Sequence, residues 1–294
     1  IVSRGELVEI GGDFRVPDVL ASSGITLKEV GTTNRTKLAD YKKAIGENTA
    51  MLLRVHPSNY RIIGFTSSPG NAELAALARE KSVVFFEDAG SGAVVDLSDF
   101  GLGDEPLISR SIAEGADLVA FSGDKLLGGP QSGIIVGRRE LIETIRRHPL
   151  YRALRPDKLT YAALEATLLA YERGTHFEEI PVLRMLSMPE AEIETRATAF
   201  ANELRGKLPE GRSFDVDVMR GESAIGGGSA PGVHPETTLV ALTGRSVSAD
   251  AIERRLRLGS PPVIARIAED KVLIDLRTVG HNEIESLMAK LATL

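Results

Sequence analysis

The sequence predicts an α/β fold: a large domain on a doubly wound, mostly parallel sheet, followed by a smaller C-terminal α+β domain. Three observations carry this reading. The front half alternates short apolar runs with segments of helical period, the pattern of parallel βαβ units. Those runs end in polar loops, as in sheets that take ligands beyond the carboxyl ends of their strands. Beyond Phe177 the pattern changes to period-two strands and short charged helices.

Each element follows from its residues. Arg15 to Ser23 reads as a helix stopped at Gly24, and Thr26 to Val30 as a strand. Leu38 to Ile45 has helical spacing, and Ala50 to Val55 is a buried strand that ends at His56-Pro-Ser-Asn-Tyr60. Asn71 to Lys81 is a helix with Asn71 as its N-cap. Val83 to Phe86 starts a strand that runs to Asp88 and a Gly-Ser-Gly turn. Ala116 to Phe121 and Ile134 to Gly137 are two further strands, and Leu159 to Glu172 is a helix long enough to link domains. In the tail, Phe214 to Val218, Thr238 to Leu242 and Val272 to Leu276 are strands. Ala191 to Leu208, Ala249 to Leu258 and Asn282 to Leu291 are helices. The boundaries are thus a large domain over 1–158, a linking helix over 159–176 and the C-terminal domain over 177–294. Gly226-Gly-Gly-Ser229 is the only low-complexity patch.

Composition narrows the function. The chain has 294 residues, 43% of them apolar, enough for a sizeable core and two domains. A net charge of −6 gives no global basic face for nucleic acid, so any RNA contact must be local. With no cysteine, disulfides, thiolate metal sites and a cysteine nucleophile are excluded. The five histidines show no zinc-type spacing, so no metal is expected. No apolar stretch of spanning length appears, which makes a cytoplasmic protein the expectation. Ile1-Val2 reads as the end of a strand already under way, so a preceding segment is expected.

The chemistry centres on Phe121-Ser-Gly-Asp-Lys-Leu-Leu-Gly-Gly-Pro-Gln-Ser-Gly133, which places Lys125 on a tight turn between two strands. Burying an ammonium lowers its pKa and makes the amine nucleophilic, so a lysine there is costly unless it is neutralised or reacts. A surface hairpin with a solvated lysine is the plain alternative. Asp88, at the carboxyl end of the preceding strand, argues for the reactive one. A carboxylate at one strand end and a lysine beyond the next is the layout used for pyridoxal phosphate. There the lysine forms a Schiff base and the carboxylate keeps the pyridine nitrogen protonated.

Longer blocks sharpen this. Ser3-Arg-Gly-Glu-Leu-Val-Glu-Ile-Gly-Gly12, Glu29-Val-Gly-Thr-Thr-Asn34, the Lys125 block, Ala153-Leu-Arg-Pro-Asp-Lys158 and Pro261-Pro-Val-Ile-Ala-Arg266 run along essentially the whole chain. In them the sequence closely resembles the bacterial selenocysteine synthases, the L-seryl-tRNA(Sec) selenium transferases, which are fold-type-I pyridoxal-phosphate enzymes. The family's N-terminal tRNA-binding domain and the first part of its cofactor domain, with a helix start that helps hold the phosphate, have no counterpart here. The chain therefore resembles an N-terminally truncated member.

The resemblance implies roles residue by residue. Lys125 matches the Schiff-base lysine, and Asp88 the partner of the pyridine nitrogen. Ser122 is placed to donate to the cofactor phosphate, Asn59 to the ring hydroxyl, and His56 to contact the ring; a turn-forming serine and turn chemistry at Asn59 are the plain alternatives. Asp124 matches a position that helps catalysis, with charge balance as the plain alternative. Arg152 and Arg155, three apart, share a helix face if their segment is helical and match the selenophosphate site; a solvated basic face is the plain alternative. Arg266 and Arg277 are left as structural or secondary. The implied activity is conversion of seryl-tRNA(Sec) to selenocysteinyl-tRNA(Sec) with selenophosphate through an aminoacrylyl intermediate, by a homo-oligomer of dimers assembled into a ring. Thr32, Thr33, Asp40 and Tyr60 fall in segments expected between dimers. Two other readings stay open. One is a β-eliminating ammonia-lyase on a small phosphorylated amino acid or amino sugar acid; the other is a non-catalytic oligomerising scaffold.

Overall fold

The computed structural model describes residues 1–10, 12–226 and 228–294. Gly11, and Gly227 inside the glycine patch, lie outside the described residues. Two units emerge, one of residues 1–183 with 225–233 and one of 184–224 with 234–294. Residues 225–233, placed by the sequence boundaries with the C-terminal domain, thus group with the first unit.

The first unit is a six-stranded sheet flanked by helices. In chain order it contains β1 (Val2–Ser3), α1 (Val16–Ser22), β2 (Glu29–Val30), α2 (Leu38–Ala44), β3 (Met51–Val55), α3 (Asn71–Glu80), β4 (Val84–Gly90), α4 (Ile108–Ala113), β5 (Leu118–Ser122) and β6 (Gly133–Gly137). Helices α5 (Arg139–Arg147), α6 (Pro149–Leu154), α7 (Lys158–Arg173) and α8 (His176–Glu179) follow. The strand order is β2-β1-β3-β4-β5-β6, parallel throughout except for the antiparallel β5–β6 pair. The connections run outward in both directions from the β1–β3 boundary, which makes it the topological switch point.

Alternation along the strands feeds both faces of the sheet. Leu52, Phe85 and Val119 pack with Tyr41, Leu74 and Leu77 of α2 and α3 on one side. Val2, Leu53 and Val55 pack with Val8 and Val16 on the other. This is the reason the strand sequences read as nearly continuous apolar runs rather than as alternating ones.

Three local expectations are corrected. The strand foreseen over Thr26 to Val30 shrinks to Glu29–Val30, because β1 offers only Val2 and Ser3 to pair with. Asn71 does not cap α3; Gly70 holds that position and its N–H donates to Glu73 (2.8 Å). Asn71 instead accepts from Arg54 (2.7 Å) and donates to Glu87 (2.9 Å), so its amide serves two buried charges. Finally, α6 stops at Leu154 and Arg155 is extended, as expected for a residue before Pro156. Arg152 and Arg155 therefore do not share a helix face.

After α9 (Pro181–Ser187), the second unit comprises α10 (Glu190–Lys207), β7 (Phe214–Glu222), β8 (Glu236–Gly244), α11 (Ala249–Arg257), β9 (Arg266–Ala268), β10 (Lys271–Asp275) and α12 (Ile284–Ala292). Its antiparallel sheet has the order β7-β8-β10-β9. Phe200, Leu204, Phe214, Leu242, Ile274 and Met288 form its core. Arg277 is buried there and donates to the carbonyl oxygens of Met185 (2.8 Å), Met188 (3.1 Å) and Glu236 (2.7 Å). Arg266 donates to the carbonyl of Glu222 (2.7 Å). Among the described residues no helix is long and apolar enough to cross a membrane.

Candidate active site

The carboxyl ends of β3, β4 and β5 lie side by side and carry the predicted groups. The His56 N–H donates to the carbonyl of Asp88 (2.9 Å), which binds the end of β3 to β4. At Asp88 the β4–β5 register shifts, a bulge that re-aims the carboxylate. Asp88 is half-buried, and Oδ1 accepts from the Gly90 N–H (3.2 Å). Burial pushes its pKa up, while that N–H and the charges of Lys125 and His56 oppose the rise.

Lys125 sits in the connection between β5 and β6, a compact loop rather than a two-residue turn. Gly123 N–H donates to Ser132 (2.8 Å), Gly129 N–H to Gly123 (2.7 Å) and Leu126 N–H to Ser91 (2.9 Å). The last bond ties the lysine loop to the Gly-Ser-Gly turn after β4. Gly92 in that turn has φ of +77°, and a Cβ there would lie 2.5 Å from the Ser122 carbonyl oxygen. Only glycine lets the two strand ends come this close.

The other predicted residues divide. Ser122 ends β5, half-buried, and Asp124 is exposed on the rim of a cleft of about 340 Å³ that Lys125 also lines. His56 is mostly buried. The Asn59 amide donates to the carbonyl of Glu9 (2.7 Å), which anchors the loop after β3. Arg152 and Arg155 are both exposed, neither lining that cleft. The residues expected between dimers have work within the chain. Thr32 donates to the Arg35 carbonyl (3.0 Å), Asp40 accepts from the Lys37 N–H (2.8 Å), Tyr60 donates to the Gly5 carbonyl and Thr33 packs on Gly5.

Sequence reasoning missed Glu105. Its side chain is 4% exposed, Oε1 accepts from the Ala230 N–H (2.5 Å) and the same oxygen lies 3.6 Å from His56 Nε2. Burial raises its pKa, but His56, Ser91 and the Ala230 N–H outweigh this and leave it below the usual carboxylate range. His56 Nε2, Ser91 Oγ and Glu105 Oε2 are buried without a hydrogen-bond partner among the described residues. A lone glutamate in Gly103-Asp-Glu-Pro106 carries no pattern that would have flagged it.

A second cleft, of about 280 Å³, opens at the switch point beyond β1 and β3. Glu6, Arg35, Arg54, His56, Arg61 and Glu105 are among its lining residues. Glu6 is buried, accepts from the Val55 N–H (3.1 Å) and has its pKa raised to about 7 by burial, with Arg54 opposing. The segment 225–233 touches both clefts: Ser229 lines the one at Lys125 and Ala230 the one at His56.

Comparison with known proteins gives the class first. The fold is that of the fold-type-I pyridoxal-phosphate enzymes. The structure of D-glucosaminate-6-phosphate ammonia-lyase superposes with a TM-score of 0.62 at 21% identity, over 99% of this chain and 69% of that one. At that identity the likeness concerns the fold alone. The profile of L-seryl-tRNA selenium transferase matches residues 1–280, and the chain belongs to that family. It is 49% identical over 290 residues to the L-seryl-tRNA(Sec) selenium transferase of Hyphomonas neptunium, covering 98% of this chain and 62% of that protein. It is also 49% identical over 286 residues to that of Carboxydothermus hydrogenoformans, covering 97% and 60%. The chain thus spans about three fifths of the length of these relatives.

Proposed function

We propose that this chain is the catalytic part of a transferase of selenocysteine biosynthesis, one that converts L-seryl-tRNA(Sec) to L-selenocysteinyl-tRNA(Sec) with selenophosphate and pyridoxal phosphate. The observation that supports this best is the pairing of Asp88 and Lys125 beyond adjacent strands, close enough for the ammonium to act on the carboxylate. Their surroundings fit the cofactor. Lys125 is half-buried and lines an open cleft, with half-buried Asp88 and Ser122 at the adjacent strand ends.

When bound, the cofactor supplies a sink for the negative charge that develops at the substrate α-carbon. The protein does the rest. Lys125 Nζ would hold the cofactor and take the α-proton of the seryl group. Asp88 would keep the pyridine nitrogen protonated, its partial burial strengthening that interaction. Ser122 would donate to the phosphate, and Asn59 and His56 would serve the ring edge. Asp124, which lines the same cleft as Lys125, would carry the proton that must reach the departing hydroxyl. Arg152 and Arg155, both exposed, would hold selenophosphate. Seryl-tRNA(Sec), selenophosphate, a homo-oligomeric assembly and a cytoplasmic place in protein biosynthesis belong to this proposal.

The test is covalent. Borohydride reduction after adding pyridoxal phosphate, followed by peptide mapping, is expected to place the pyridoxyl group on Lys125, and Lys125→Ala is expected to abolish it. A pyridoxyl group found mainly on another lysine would sink the assignment.

A further inference from the structure

Glu105 is a buried carboxylate that anchors the backbone beside the lysine site. One of its oxygens accepts the Ala230 N–H at 2.5 Å and lies 3.6 Å from His56 Nε2. His56 is in turn bound through its own N–H to the Asp88 carbonyl. Two residues before Ala230, Gly228 lies against the Lys125 side chain. A Cβ on Gly228 would sit 3.1 Å from Nζ and 3.3 Å from Cε. Gly228 has φ of +84° and Ala230 of +47°, so this stretch takes a backbone course that few side chains tolerate.

That conformation needs an anchor. The described residues of this stretch in the first unit, 225–226 and 228–233, form a strap that Glu105 anchors at Ala230. The Ala230 N–H is a buried donor, and Glu105 is the acceptor that keeps it from being orphaned. A charged acceptor makes this bond about twice as strong as a neutral one.

We propose that Glu105 is a positioning residue for Lys125. Through Ala230 it holds the strap so that Gly228 backs the lysine amine. This rests on Lys125 being the cofactor lysine, yet the strap itself can be probed without cofactor.

The experiment measures the rate at which a small acetylating reagent modifies Lys125, relative to the other lysines, in the cofactor-free chain. Glu105→Ala is expected to raise the relative rate on Lys125 roughly tenfold, because losing a charge-assisted bond lets the strap open locally. Glu105→Gln keeps an acceptor for the Ala230 N–H and is expected to stay within about threefold of the parent chain. Gly228→Ala, which pushes against the amine without touching Glu105, is expected to raise the rate as well. All three are compared at matched far-ultraviolet circular dichroism. Should Glu105→Ala unfold, Gly228→Ala and Glu105→Gln still decide. Unchanged Lys125 reactivity in Gly228→Ala, or equal effects of Glu105→Gln and a folded Glu105→Ala, would overturn the proposal. A pyridoxyl adduct away from Lys125, with the reactivity pattern as expected, would leave the strap standing and remove only the cofactor reading.

Discussion

His56 and Asp88 are joined through their backbones, with the N–H of His56 donating to the carbonyl of Asp88 across 2.9 Å. The bond lies where β3 ends and β4 bulges, so the carboxylate is set by two strands rather than by its own loop. Asp88→Asn keeps the volume and leaves this bond intact while removing the charge. In a full-length family member carrying this region, turnover is expected to fall on the order of 10²-fold, as when one preorganised electrostatic partner of a reaction is removed. The Lys125 pyridoxyl adduct should still form, and reduction with borohydride checks that.

Arg152 and Arg155 are exposed, and α6 ends between them. The paired alanine substitution is expected to leave stability within about 0.5 kcal/mol. In a full-length member it should raise the selenophosphate concentration needed for half-maximal rate by roughly tenfold or more, the loss of a charge-assisted pair. Initial rates against selenophosphate concentration measure it. An unchanged half-saturation point places the anion elsewhere.

Glu6 gives a pH signature. Burial raises its pKa from 4.5 to about 7, so between these values the folded chain holds a proton that the unfolded chain releases. Stability therefore falls as pH rises through that window, by up to about 3 kcal/mol. Glu6→Gln keeps an acceptor for the Val55 N–H and carries no charge. Its urea midpoint should lose most of this decline between pH 5 and 7.5, whereas a midpoint that still tracks the parent chain would assign the decline to other groups.

Arg277 satisfies the carbonyls of Met185, Met188 and Glu236 and accepts no substitute with fewer donors. Arg277→Lys retains the charge but not the planar fork, and orphaned carbonyls follow. A loss of about 3 kcal/mol is expected in chemical denaturation.

Much of the first unit was legible because its strands are apolar runs bounded by glycine and polar loops, a signal that depends only on local sequence. Lys125 and Asp88 stood out in the sequence for the same reason, since each sits at the end of such a run. The misplaced N-cap at Asn71 shows where local reading stops. An asparagine before a helical run is ordinary capping chemistry, yet here Arg54 and Glu87, brought in by β3 and β4, claim its amide. The shared face of Arg152 and Arg155 was conditional on a helix through Arg155, and Pro156 already argued against one. Glu105 had no local signal whatever. Its meaning comes from Ala230, 125 positions away, and from His56, and no periodicity encodes that meeting.

The same distance has a consequence for how the protein is made. A ribosome that has released β1 through β6 has already supplied Asp88, Lys125 and Glu105, but not the stretch that lies against the amine. Translation at roughly 5–20 residues per second leaves the lysine uncovered for several seconds before residue 230 emerges. During that interval the stretch that will lie against the amine has yet to be made, so the lysine site is completed only after all six strands of the first unit.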